Sequence, residues 1–368
     1  MAPTSPRASL LHQPTVNLRP SIAGKNLKEP LLERFPDWRP IENPTYRFLD
    51  HDFYVERAKH FSTYDSKSWF STLLLSVSHF SLTPVASYIL LSVLLQIFRS
   101  QIASYVPHVQ GVTGFMGGAA SFLMVFRINN AYTRWFTGRS LWTTVMTLCY
   151  SAASSVTATM PNREHKIKFI SELLAFPVAL KSLLRRVDTR RAELAPVEQG
   201  GLMSDEQLQL LNEAASPPLV VLEALQHTMR DGYKDTGAYQ GSAYVYSLNC
   251  LQGLTQAVVG CEMARAKVPR DYVASLRWFL LSWLFLLTFT LVGAIGWAAV
   301  PIISLISLLY LSMEEMAVMM DTPFGHHHNN ICLEGYCLEI ERILLDIMHR
   351  NCAPDREEGK VRRFGSAM

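Results

Sequence analysis

Three long stretches of the chain carry no Asp, Glu, Lys or Arg: Ser68–Phe98, Ser100–Phe126 and Trp278–Met313. They are 31, 27 and 36 residues long. A helix needs roughly 20 predominantly apolar residues to cross a hydrocarbon core of about 30 Å. The first stretch therefore predicts one span, about Ser78 to Phe98, around the run ILLSVLLQIF. The second predicts another, whose small-residue sequence GVTGFMGGAASFLMVF allows close packing against neighbours. The third would reach about 54 Å as a single helix, too far for one crossing. Gly293, Gly296 and Pro301 fall near its middle. It predicts a tight hairpin of two short spans, about Arg277–Leu291 and Trp297–Met313.

Four spans in two hairpins place both termini on one side. Arg99 is the one charge at the first hairpin tip, and the second tip has none. The other 33 of the 34 basic residues lie on the opposite side, which the positive-inside rule makes cytosolic or its organellar equivalent. The organisation reads as residues 1–28, a disordered tail or a transit segment; 29–77, a polar and aromatic segment at the membrane surface; 78–126, the first hairpin; 127–276, a cytosolic helical region; 277–313, the second hairpin; and 314–368, C-terminal helices and tail. Residues 1–28 hold Arg7, Arg19, Lys25 and Lys28 but no acid, and they lack the apolar region of a secretory signal.

In the middle region, RINNAYTRWFTGRSLWTTVMTLCYSAASSV predicts a helix running straight out of the second span. HKIKFISELLAFPVALKSLLRRV spaces its apolar residues helically. The basic run ALKSLLRRVDTRRAEL reads as a solvated helix face. Ser204 followed by Gln207 signals a helix start. GYKDTGAYQGSAYVYS reads as a Gly- and Tyr-rich loop.

Composition narrows the function. Hydrophobic residues make up 49% of the 368 residues and charged residues 18%, which excludes a disordered or collagenous chain. A net charge of +3 argues against a nucleic-acid binder. Six scattered cysteines form neither a disulfide framework nor a paired zinc motif. No GxSxG, HExxH or P-loop is present, and no acid pair has a catalytic spacing, so the chain does not read as an enzyme and no cofactor is expected. The spans hold no ionisable group for coupled transport other than His79 near the start of the first, which also fits an interfacial histidine.

Three segments together resemble the bestrophin family: FLMVFRINNAYTRWFTGRSLW at the exit of the second span, QAVVGCEMARAKVPRDYVASLRWFLLSW entering the third, and MEEMAVMMDTPFG after the fourth. The resemblance covers about residues 60–350. It implies an all-α membrane protein, four transmembrane helices in two hairpins with a cytosolic helical region, assembled as a homopentamer around an axial pore. It implies a channel for chloride and other small anions, bicarbonate among them, in contact with lipid and with further copies of the chain. An anion or organic-acid transporter and a non-conducting scaffold remain as alternatives.

The resemblance places the pore neck at Gly118, Phe122 and Phe126. These lie at i, i+4 and i+8, so they share one helix face whatever the family. Gly118 departs from the family's bulky apolar choice and implies a wider outer end. Ordinary helix packing is the other role open to Phe122 and Phe126. Arg127 follows the neck, either raising local anion concentration or pairing with an acid on a neighbouring helix. A cytosolic aperture falls at Leu219 or Val220 in ASPPLVVLEAL, where a helix-core role is the alternative. Animal members carry a calcium clasp of acidic residues after Pro-Phe-Gly. Here His326, His327, His328, Asn329 and Asn330 follow Pro323-Phe324-Gly325, so no metal site and no calcium activation are expected there. The acid-free N-terminus and the overall pattern are compatible with a plant- or alga-type member in the plastid thylakoid membrane, with the plasma membrane as the alternative.

Overall fold

The computed structural model describes residues 82–185, 190–234, 238–325 and 330–352, and these are helical with no strand among them. The expectations for the N-terminal tail, the surface segment, His79 and His326–His328 concern residues outside this set.

Helix α1, Leu82–Ile97, is followed by the single turn α2, Arg99–Ile102. Helix α3, Val106–Thr159, then runs unbroken for 54 residues, with a Pro in its first turn. At 1.5 Å per residue it is about 80 Å long, more than twice the depth of a hydrocarbon core. It ends at Met160, where the backbone turns extended. Asn162 caps α4, Arg163–Leu184, by accepting from the Glu164 amide at 2.8 Å. The second half of α4, from Phe169 onward, is buried throughout. Short helices α5, Arg190–Gly200, and α6, Asp205–Glu213, follow, the latter opened by a capping box between Ser204 and Gln207 as the sequence predicts. Helix α7, Pro217–Gly232, packs on α4, and α8, Ala238–Arg265, packs along α3.

The third uncharged stretch forms two helices, α9, Arg270–Ile295, and α10, Ala299–Met320, joined by a 3-10 turn at Gly296–Ala298. The reversal sits at Gly296, whose φ of +63° suits a residue without a side chain. Gly293 has a different role: a Cβ there would collide with Val106 at the start of α3. Pro301 lies in the first turn of α10, where its missing amide leaves no bond unmade. Helix α11, Leu333–Cys352, closes the described chain.

Two apolar cores result. One joins α1, α9, α10 and the first part of α3 through Tyr88, Met124, Trp283, Leu284 and Ile303. Polar bonds cross it: Tyr88 donates to the Leu281 carbonyl at 3.0 Å, and Trp283 Nε1 donates to the Thr113 carbonyl at 3.2 Å. The other core gathers α4 to α8 and α11 around the rest of α3, with Trp142, Phe169, Phe176 and Leu225 fully buried. Among the described residues, helix α3 alone serves both. The stretches Val106–Thr159 and Gly241–Met320 are long and apolar enough to cross a membrane, and Thr83–Ile97 is a shorter apolar helix.

Two sequence readings are corrected. Within the segment 232–247, residues 238–247 are not a loop, because α8 is already formed at Ala238. Tyr244 packs edge-on against Tyr233 at 5.6 Å, and Ser247 donates to Ser155 on α3, so tertiary contacts override the Gly-rich composition. The basic run is not a solvated face at its two described basic side chains either. Lys181 and Arg185 are buried, holding Glu193 of α5 at 2.9 and 2.7 Å, and Arg185 also holds Glu334 of α11.

Candidate pore-lining surface

Helix α3 has one face turned away from the protomer. Gly118 is exposed, and a Cβ added there would meet nothing within 4 Å. Phe122 and Phe126 are 62% and 48% exposed, with ring centroids 4.6 Å apart in an edge-to-face pair. The three residues expected at the neck thus lie along one free face. Phe115, 83% exposed, continues it toward the start of the helix. In the other direction the face passes through Asn129, Thr133, Phe136, Ser140, Thr144 and Thr147, all exposed and all uncharged. The hydroxyls of Thr133, Thr144 and Thr147 donate to carbonyls four residues back, which keeps the helix satisfied along its polar half.

Arg127 does not lie on that face. It is 3% exposed, and Nη2 reaches Asp321 Oδ2 at 2.5 Å while Nε lies 3.4 Å from Glu314 Oε2. Of the two roles open to it, the structure carries the ion pair. Arg277, at the start of the apolar part of α9, donates to the other oxygen of Glu314 at 2.8 Å. Glu314 is therefore shared between two arginines on two helices. Sequence reasoning missed this cluster. A signal was present: Glu314 and Asp321 are seven residues apart, two turns along one face, and both follow an uncharged span whose far end is Arg277.

The turn after α10 reaches α3 a second time. Phe324 is buried, with its ring 3.2 Å from where a Cβ on Gly138 would stand. Ile331 donates its amide to the Pro323 carbonyl at 2.9 Å and closes the turn. Asn330 is buried against Gly325, and neither of its side-chain polar atoms has a hydrogen-bond partner among the described residues. His327 lies outside the described residues. At the aperture, Leu219 is 38% exposed in the first turn of α7, whereas Val220 packs against the larger core. The two candidates are not equivalent, since Leu219 is exposed and Val220 is partly buried.

Burial raises the Glu193 carboxyl, but Lys181 and then Arg185 outweigh it and hold the group below the ordinary carboxylate range. Glu172, with Thr228 donating to it at 2.7 Å, is pushed up by burial. The Cys337 thiol is pushed up to about 12 by burial and is inert as a nucleophile.

A family model described as bacterial/fungal bestrophin protein matches residues 63–346, most of the chain. The chain belongs to the bacterial/fungal bestrophin family. A voltage-dependent anion channel-forming protein of Synechocystis sp. is 27% identical to this bestrophin over 234 residues, covering 61% of this chain and 73% of that one. One of Nostoc sp. is 28% identical over 233 residues, with the same coverage. Among solved structures, a bacterial bestrophin homolog from Klebsiella pneumoniae superposes with a TM-score of 0.62 at 25% identity, covering 72% of this bestrophin and 98% of that chain. A single-site variant of that homolog gives 0.64 at 26%, covering 73% and 99%.

Proposed function

We propose that this bestrophin is a membrane channel for small anions, chloride and bicarbonate among them, with Phe122 and Phe126 forming the neck of an axial pore between five copies of the chain. The observation that carries the reading is the free, uncharged face of α3, aromatic along its first part and hydroxylated along its second. A surface of large exposed rings on an otherwise packed helix calls for a partner, and five copies around an axis supply one. The positive edges of the phenyl rings offset part of an anion's lost hydration. A narrow apolar ring also gates by dewetting, so a small helix shift switches conduction. Gly118 leaves the outer end wide, and Leu219 is the residue we assign to the inner aperture.

The membrane placement has its own support. Trp278 and Trp297 are 71% and 67% exposed at opposite ends of the second hairpin. The helix between them spans roughly 26 Å, close to a hydrocarbon core with an aromatic belt on each side. Leu305, Leu309 and Phe285, all exposed, face the lipid between the two levels. The topology is four spans in two hairpins with α4–α8 and α11 on the cytosolic or stromal side. The acid-free N-terminus favours a plastid thylakoid location over the plasma membrane. The histidine-rich sequence after Gly325 supplies no acidic clasp, so no calcium activation through that segment is expected.

The deciding experiment is the reversal potential of the purified protein in a planar bilayer under a chloride gradient, with the assembly weighed by native mass spectrometry. A shift to the chloride potential from a five-copy assembly is expected. A shift to the cation potential refutes the role given to the neck. Silence from intact pentamers favours the scaffold.

A further inference from the structure

We infer that Glu314 is a positioning residue for the neck, setting the rotation of α3 at Phe126 by holding Arg127 in common with Arg277. This rests on the channel reading, in which Phe122 and Phe126 line the pore. The geometry is specific. Arg127 is the residue next to Phe126, so its side chain leaves the helix about 100° from the neck face. It is almost fully buried and is met by two carboxylates, Glu314 on α10 and Asp321 at the end of the same helix. Glu314 is buried too, and its second oxygen is taken by Arg277 of α9. Three helices therefore meet in one charge cluster at the level of the innermost neck residue. Because Arg277 is half-exposed while Arg127 is enclosed, Glu314 can exchange its weight between them. Held by Arg127, the carboxylate pins α3. Released toward Arg277, it leaves Arg127 to Asp321 alone, and α3 gains freedom to turn its phenyl rings.

The test is a double-mutant cycle read by thiol labelling. Phe122→Cys is introduced in the full-length protein in liposomes, and its reaction with a charged, water-soluble methanethiosulfonate is followed by peptide mass. The residue-specific readout removes interference from the native cysteines. Glu314→Gln and Arg127→Gln are each expected to change the labelling rate by about threefold or more, and the double variant is expected to match either single one. Open probability should move in the same variants while the reversal potential stays fixed. Unchanged labelling, or effects that simply add, overturn the inference. If Arg127→Gln does not assemble, Arg277→Gln and Glu314→Gln form a second cycle: Arg277→Gln alone is expected to shift labelling in the direction opposite to Glu314→Gln, and the double variant to match Glu314→Gln; any other pattern overturns the inference. A Phe122→Cys protein that labels as expected, while the wild type carries no anion current, refutes the channel reading alone. Current with additive labelling refutes the positioning role alone.

Discussion

Phe122→Ala and Phe126→Ala should separate function from stability. Both rings are largely exposed in the protomer, so their loss leaves little cavity, and the expected stability change of a single chain is within about 1 kcal/mol. In a bilayer the same variants should alter open probability or the chloride-to-cation permeability ratio; unaltered currents would remove the pair from the neck. Glu193 is the opposite case. Glu193→Gln removes the carboxylate that Lys181 and Arg185 share in the larger core, and removing one partner of a buried pair costs about 3–5 kcal/mol. The pH dependence has a definite sign. Glu193 titrates below its ordinary range in the folded protein, so its contribution is present above that range and is lost as pH falls through the depressed value. The gap in unfolding temperature between wild type and Glu193→Gln should therefore shrink in acid, as followed by tryptophan fluorescence in detergent. The shared face of Gly118, Phe122 and Phe126 was legible from spacing, because helix phase needs no knowledge of neighbours. The direction of Arg127 was not, because a cation beside a neck serves a pore or a pair equally well until its partner is known. Lys181 and Arg185 were misread for the same reason. Their counter-charges, Glu193 and Glu334, come from other helices, one of them about 150 residues away.

At the scale of elements, the long uncharged stretches announced apolar helices because desolvating a charge is costly wherever it lies. The reversal in the third stretch was bracketed by three candidates, and backbone conformation alone chose Gly296. A Gly296→Ala change is therefore expected to cost about 1–2 kcal/mol from the left-handed φ. The Arg99 side chain now packed on that site is flexible enough to move aside. The measurement is the unfolding temperature beside a control Gly241→Ala, where an added Cβ meets nothing. If the two variants melted alike, the turn would not be the strained point. The segment 232–247 shows where composition misleads. Glycine and tyrosine read as loop in isolation, yet Tyr244 and Ser247 find partners on neighbouring helices that stabilise a helix of low intrinsic propensity.

For the molecule as a whole, α3 is, among the described residues, the one element that belongs to both cores. It carries the free face of Phe122 and Phe126 at one end and, from Trp142 onward, a buried wall of the larger core. A continuous helix has no hinge to absorb a change in its length. Each added residue turns everything beyond it by about 100° and advances it by about 1.5 Å. One residue inserted between Phe126 and Trp142 would aim the phenyl rings at the protomer's own core or bury Arg127 facing no acid, although every side chain is still present. Seven inserted residues would restore the phase to within about 20° while lengthening the rod. The segment is thus a ruler and a protractor at once: its residue count encodes an angle, and deletions within it should be far less tolerated than substitutions.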